Sequence, residues 1–275
     1  MDDYLRALLL GLLQALSEFL PISSSGHLLL AGTVLGDDAQ SLTFDVGLHA
    51  GTTAAVLVYF WRDWRTILGA VARDGVRHRA RVRRWGSASR LGLWIALGTL
   101  PAVVVGLLAG DTIEAELRQA WLVAVLLIGF AVPLAAGERA TVRRSGIEQV
   151  GAGHALAIGA AQAVALLPGV SRSGITISAA RRLGFDRATA TRFSFLLSAP
   201  AIVAAATLSF ADVLLGDEVV AWGPLLAGAV VSAVAGGAVI HWLLRYVRTG
   251  TLWPFVWYRI ALGLAVLTIA AVRVT

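Results

Sequence analysis

Gln14 and Glu18 stand four residues apart, and Ser23, Ser24, Ser25, Gly26 and His27 follow shortly after them. Four-residue spacing puts Gln14 and Glu18 on one face of a helix. A carboxylate inside an otherwise apolar run is a functional candidate by default. Magnesium is commonly held by one or two carboxylates together with substrate phosphates and water. Glu18 is therefore the expected metal ligand, for Mg²⁺ or Ca²⁺, and Gln14 can add a carbonyl ligand or a hydrogen bond. His27 lies three residues beyond Ser24, which on a helix start places a general base beside a hydroxyl nucleophile. Direct attack by His27, or activation of a water by it, stays open. Far along the chain, Arg172 sits within Ser171, Ser173, Gly174 and Thr176. Its forked donors suit phosphate oxygens. An unpaired arginine at membrane depth costs at least about 2.5–3.5 kcal/mol on insertion scales, so it needs a partner. That partner is either an anionic ligand or Glu18. Serines just before a helix cap it, and the free N–H groups of a first turn attract anions. Ser23, Ser25 and Gly26 in one segment, with Ser171, Ser173, Gly174 and Thr176 in the other, thus become candidate substrate contacts.

The rest of the chain says where these residues sit. Of 275 residues, 57% are apolar and 15% charged, and the mean hydropathy is +0.76. Soluble domains run at roughly 45–50% apolar and 25% charged, so the composition rules out a disordered chain and argues against an ordinary soluble enzyme. Without cysteine there is no disulfide, thiolate metal site or cysteine nucleophile. There is no Walker loop, dinucleotide fingerprint or histidine-rich metal motif. The acidic start, Met1-Asp2-Asp3, is unlike a signal peptide, so the first apolar run reads as part of the mature protein.

A membrane-crossing helix needs about 20 mostly apolar residues. Six stretches qualify: 42–61, 91–110, 119–137, 193–211, 219–244 and 253–272. The last contains Arg259, expected to snorkel to an interface marked by Trp253, Trp257 and Tyr258. Two further apolar segments, 4–35 and 151–183, are interrupted by Leu20-Pro21-Ile22-Ser23-Ser24-Ser25-Gly26 and by Leu167-Pro168-Gly169-Val170-Ser171-Arg172-Ser173-Gly174. Their halves are too short to cross, so each reads as a re-entrant helix–loop–helix hairpin. The loop 62–90 holds nine arginines and two aspartates and is expected on the cytoplasmic side, as is 138–148 with Arg139, Arg143 and Arg144. Asp2, Asp3, Asp37 and Asp38 place both ends of the first hairpin outside. Arg143, Arg144, Arg181, Arg182 and Arg187 place both ends of the second inside. The arginine-rich loop thus serves topology, and no nucleic-acid partner is expected.

The interrupted segments also resemble each other. A constant shift of 148 residues carries Gly11, Gln14 and Ala15 onto Gly159, Gln162 and Ala163, and Ser23, Ser24, Ser25 and Gly26 onto Ser171, Arg172, Ser173 and Gly174. The expectation is an all-α polytopic membrane protein, one integral membrane domain over 1–275. It is built as an inverted-topology repeat with halves of approximately 1–137 and 151–275: six transmembrane helices plus two re-entrant hairpins. Such repeats put a polar site near the midplane, where their broken helices meet. Irregular backbone at that depth survives only buried in protein or lining a cavity, so the two loops should touch.

Gln14-Ala15-Leu16-Ser17-Glu18-Phe19-Leu20-Pro21-Ile22-Ser23-Ser24-Ser25-Gly26-His27 resembles the first signature of the undecaprenyl-diphosphate phosphatases, the bacitracin-resistance family. Pro168-Gly169-Val170-Ser171-Arg172-Ser173-Gly174-Ile175-Thr176 resembles the second. Phe193 to Leu197 and Pro254 to Ile260 are similar to further family segments, and the resemblance covers essentially the whole chain. It implies hydrolysis of undecaprenyl diphosphate, which recycles the lipid carrier of cell-wall synthesis, and a divalent cation. It also implies roles for Glu18, Ser24, His27 and Arg172, and a site opening to the extracytoplasmic face of the plasma membrane. Many members carry glutamate where this chain has Gln14, which leaves metal binding more dependent on Glu18 and the substrate. A lipid-phosphate flippase, a transporter, or a protein that only sequesters the lipid would fit the same inverted-repeat site. Monomer and oligomer are equally open.

Overall fold

The computed structural model describes residues 3–35, 42–117, 119–215 and 221–274. Asp2, Asp37 and Asp38, which flank the first hairpin, lie outside the described residues. Helices make up the fold: α1 (Asp3–Phe19), α2 (Ser24–Leu35), α3 (Leu42–Tyr59), α4 (Trp61–His78), α5 (Ser87–Leu117), α6 (Ala120–Gly129), α7 (Ala131–Glu138), α8 (Ala152–Val164), α9 (Arg172–Arg182), α10 (Arg187–Leu215), α11 (Trp222–Tyr246) and α12 (Trp253–Val274). Among the described residues the only β pairing is an isolated bridge between Arg144 and Phe185.

Among the described residues four stretches are long and apolar enough to cross a bilayer, namely Ser87–Gly110, Ala120–Glu138, Arg187–Thr207 and Trp222–Tyr246. Large apolar side chains such as Leu108, Val132, Val234 and Leu264 face outward, while Gln14, Thr52, Thr176, Thr191, Ser232 and Arg259 are buried. That inversion of the usual soluble pattern is what a lipid solvent selects. The chain is an all-α, multi-pass membrane protein.

Two expected elements take a different form. The arginine-rich loop 62–90 is mostly helical. α4 is amphipathic, burying Ile67 and Ala70, and the side chains of Ile67 and Val71 fill the space left at Gly92 of α5. At its far end Asp74 accepts hydrogen bonds from the Ser89 hydroxyl at 2.6 Å and the Gly86 N–H at 2.7 Å, tying the start of α5 to α4. The bonds from Ser89 and Gly86 hold the Asp74 carboxyl below the usual carboxylate range. The span 119–137 is interrupted at Phe130, between α6 and α7. Pro133 has no N–H to offer the carbonyl of Gly129 four residues earlier, so the ladder breaks there and carbonyls in the last turn of α6 are left free for other donors.

Both broken segments form helix pairs, α1 with α2 and α8 with α9, as their punctuation requires. Pro21 disfavours helix at Leu20, and α1 stops at Phe19. Pro168 and Gly169, the latter at φ 91°, do the same after α8. α1 packs on α11 and α8 on α5, each through a crossing of two glycines. A Cβ at Gly11 would lie 2.4 Å from the carbonyl oxygen of Gly228, and one at Gly159 would lie 2.0 Å from that of Gly98. Only hydrogen at both positions lets the helix backbones come so close. α11 also packs on α3, and α5 on α10. On the second hairpin's outer side Arg187 pairs with Glu138, whose carboxylate also receives the Leu252 N–H at 3.2 Å, so α7, α10 and the start of α12 are joined.

Candidate active site

The loops between the paired helices come together. The Gly169 N–H donates to the Ser25 hydroxyl at 3.0 Å, and the Ser173 hydroxyl donates to the Leu20 carbonyl at 3.0 Å. Each loop turns at a serine in the left-handed region, Ser23 at φ 75° and Ser171 at φ 70°. Left-handed backbone at a non-glycine residue costs on the order of 1–3 kcal/mol and concentrates at functional sites. Inside each loop two hydroxyls pair, Ser23 with Ser25 at 3.1 Å and Ser171 with Ser173 at 3.3 Å. Ser171 also caps α9 by accepting the Gly174 N–H at 3.2 Å.

Glu18, in the last turn of α1 and 9% exposed, is where the two hairpins exchange charge. Its Oε2 accepts the Ser24 hydroxyl at 2.8 Å and the Gln14 amide at 3.4 Å. Its Oε1 lies 3.3 Å from Nη2 of Arg172. The pairing of Arg172 with Glu18, one of the two readings open from sequence, is therefore present. It uses one arm of the guanidinium only, because Nη1 of Arg172 is buried without a hydrogen-bond partner. Oε1 of Gln14 is also buried and unpartnered. The site thus holds an orphaned donor on one hairpin and an orphaned oxygen on the other, a few ångströms from one carboxylate.

His27 is placed differently from its expected role. It is buried, and its Nδ1 donates to the Ser23 carbonyl at 2.7 Å, so in the neutral ring Nε2 accepts from the Tyr258 hydroxyl, also at 2.7 Å. The two rings stack, 5.5 Å apart and 3° from parallel. Both ring nitrogens are engaged, and the Ser24 hydroxyl is turned to Glu18. The structure therefore does not bring Ser24 and His27 together as a nucleophile–base pair.

Several candidate substrate contacts serve the scaffold. Thr176 hydrogen-bonds with the Ser194 hydroxyl at 2.6 Å and with the Arg172 carbonyl at 2.7 Å, fastening α9 to α10. Gly26 and Gly174 leave room for neighbours: a Cβ at Gly26 would lie 3.1 Å from Leu127, and one at Gly174 would lie 3.2 Å from Ser171. Ser25 and Ser173 are taken up in the loop–loop bonds, and Ser23 and Ser171 pair with them inside each loop.

The chain that builds this arrangement, two serine-rich loops with one carboxylate and one forked cation between them, matches a known family. The bacitracin resistance protein BacA family matches residues 7–265. The chain belongs to the BacA family. Among curated members, an undecaprenyl-diphosphatase of Alcanivorax borkumensis is 44% identical over 265 residues, covering 96% of this chain and 98% of that one. One from a Nocardioides species is 41% identical over 278 residues, covering 100% and 99%. One from an Anaeromyxobacter species is 48% identical over 268 residues, covering 94% and 89%.

Three residues of this BacA-family site carried too little signal in the sequence. His49 lies four residues from Asp45 near the end of an apolar stretch, where interface polarity accounts for such residues equally well. Its Nδ1 donates to the Asp45 carbonyl at 2.8 Å, and its Nε2 comes within 3.9 Å of Glu18. Tyr258 read as an interfacial aromatic. Arg259, expected to snorkel outward, is instead 0% exposed, because three backbone carbonyls inside the fold receive it. The available clue was that Arg259 follows Tyr258 inside an apolar span, where a cation is costly unless partnered.

Proposed function

We propose that the protein hydrolyses undecaprenyl diphosphate to undecaprenyl phosphate and inorganic phosphate, recycling the lipid carrier of cell-wall synthesis. The observation that carries this reading is the half-used guanidinium of Arg172 beside Glu18 and Ser24, at the contact of two re-entrant loops. We take the chain as one membrane domain with halves 1–137 and 151–275 in opposite orientation. Its arginine-rich ends are cytoplasmic in the plasma membrane, and the site opens to the extracytoplasmic face. The prenyl chain lies among the outward-facing apolar helices, and the diphosphate reaches the loops.

Nη1 of Arg172 meets the terminal phosphate, and the added negative charge draws the guanidinium away from Glu18. A carboxylate relieved of its cation is a better base. Ser24, already donating to Glu18, then attacks the terminal phosphorus, and its proton passes to Oε2 of Glu18. The new bond is Oγ–P, and the bond that breaks joins the terminal phosphorus to the bridging oxygen, which leaves on undecaprenyl phosphate. Water then attacks the phosphoserine, breaking the Oγ–P bond and restoring the Ser24 hydroxyl, and the proton held on Glu18 leaves with the inorganic phosphate. His27, held by Ser23 and Tyr258, fixes the first turn of α2 on which Ser24 sits. Positioning and electrostatic stabilisation account for most of such a reaction.

The donor set suits a hard divalent cation, Mg²⁺ or Ca²⁺: one carboxylate, Glu18, and the unpartnered Gln14 Oε1, with room in the scheme for substrate oxygens. When bound, the ion supplies neutralisation of phosphate charge.

The test is phosphate release from a prenyl diphosphate by purified protein in detergent, with a divalent cation and no gradient. Glu18→Ala and Arg172→Ala should each lower the rate by a factor of about 10²–10³ or more. A wild-type protein that binds the lipid but releases no phosphate would overturn the enzyme reading in favour of a lipid-phosphate transporter.

A further inference from the structure

Among the described residues, the most completely buried cation that the proposed chemistry does not use is Arg259. It is completely buried on α12, and among the described residues no carboxylate pairs with it. Nε donates to the Leu127 carbonyl at 3.2 Å, Nη2 to the Gly169 carbonyl at 2.9 Å, and Nη1 to the Pro21 carbonyl at 3.5 Å. The three acceptors come from three separate parts of the chain. Leu127 is in the last turn of α6, where the break before Pro133 leaves carbonyls free. Pro21 belongs to the first loop and Gly169 to the second, and they are the same position of the repeat, 148 residues apart.

One planar fork therefore holds the equivalent points of both loops and anchors them to a third element. Guanidinium can do this because its five donors diverge in a fixed plane; a lysine ammonium is a compact point charge that cannot span three separated oxygens in that way. Arg181, the other large buried cation, is a useful contrast. Its bonds go to the carbonyls of Phe185, Glu138 and Ala140, and none of these lies in either loop.

We propose that Arg259 is a positioning residue for the phosphate site. Its guanidinium clamps the two loops in register, so that Ser24 and Glu18 from one hairpin and Arg172 from the other face a single phosphate. The proposal rests on the phosphatase reading for its kinetic consequence, while the clamp itself is a statement about the loops. Misplacing reacting groups by about 1 Å can cost about 10²-fold in rate, so a loosened clamp acts chiefly on turnover.

The experiment compares wild-type protein, Arg259→Gln and Arg259→Lys, each purified whole. Three quantities are measured: phosphate release from a prenyl diphosphate resolved into kcat and KM, the melting temperature, and amide hydrogen exchange by segment. Both variants are expected to lose about 10²-fold in kcat with KM changed much less. Exchange should rise in segments covering 20–23 and 167–171, while α5 and α10 stay protected. Lysine, which keeps the charge but loses the fork, should not rescue the rate. A kcat within threefold of wild type in Arg259→Gln overturns the clamp, as does full rescue by lysine. Faster exchange throughout the protein with a collapse in melting temperature also overturns it, by reducing Arg259 to general packing. Should Arg259→Gln fail to fold, Arg259→Lys decides by the same criteria. Selective loosening of the loops with no phosphate release even by wild type would support the clamp and overturn the phosphatase reading instead.

Discussion

At Ser23 in the first hairpin and Ser171 in the second, the backbone makes the same left-handed turn. Each turn is followed by a helix start, braced by a serine pair, and preceded by a helix that crosses a long neighbour through two glycines. The side chains on that shared backbone differ. Glu18 on α1 has Leu166 as its counterpart, Ser24 has Arg172, and His27 has Ile175. One hairpin carries the acid and the hydroxyl, and the other carries the cation. On the proposed reading, a duplicated scaffold with divided chemistry works only when both loops are in contact, since neither half alone carries both the attacking group and the cation.

The sharpest way to break this contrast is at the serine that one hairpin has and the other has exchanged for arginine. Ser24→Ala should lower phosphate release by about 10³-fold or more, in line with loss of a nucleophile, and phosphoenzyme trapping should find no label. Label on His27 in the wild type would move the nucleophile off the first loop turn. A smaller effect tests the shared scaffold. Gly11→Ala and Gly159→Ala each force a methyl against a facing backbone carbonyl, and overpacking of this kind costs about 1–3 kcal/mol. Both should lower the melting temperature by similar amounts; a drop in only one would mean that the hairpins are seated differently. The smallest effect concerns Gln162, the counterpart of Gln14, whose two amide atoms are buried and unpartnered. An orphaned buried polar group costs about 1–3 kcal/mol. Gln162→Leu should therefore leave the melting temperature unchanged or raise it, with phosphate release within twofold of wild type. Loss of activity there would show that the second hairpin contributes more than its arginine.

The sequence made the broken segments legible because proline, glycine and serine act locally, and the loops do meet as their shared punctuation implied. Glu18, Ser24 and Arg172 stood out for the same reason, as polar groups in apolar runs, and the structure sets them within bonding distance. What local spacing does not reveal is which partner a side chain meets across the fold. Three-residue spacing suggested that His27 serves Ser24, yet its ring turns to Tyr258, 231 residues away. Arg259 looked interfacial beside Trp253 and Trp257, because the carbonyls that hold it come from segments around positions 21, 127 and 169. Counting arginines in 62–90 identified a charged stretch but concealed the apolar stripe of Ile67, Ala70 and Val71 that makes most of it a helix.

The resting arginine fork has a consequence for release. With Glu18 on one arm of Arg172 and the other arm open, the protein carries its own placeholder, and on the proposed reading a ligand takes the open arm first and gains the second only by displacing the carboxylate. A diphosphate, with more negative charge and more oxygens, competes for that fork better than a monophosphate does. On that reading, once the anhydride is split Glu18 returns to the arm it left and both products are let go, so the resting contact would double as a discriminator between what should stay and what should leave.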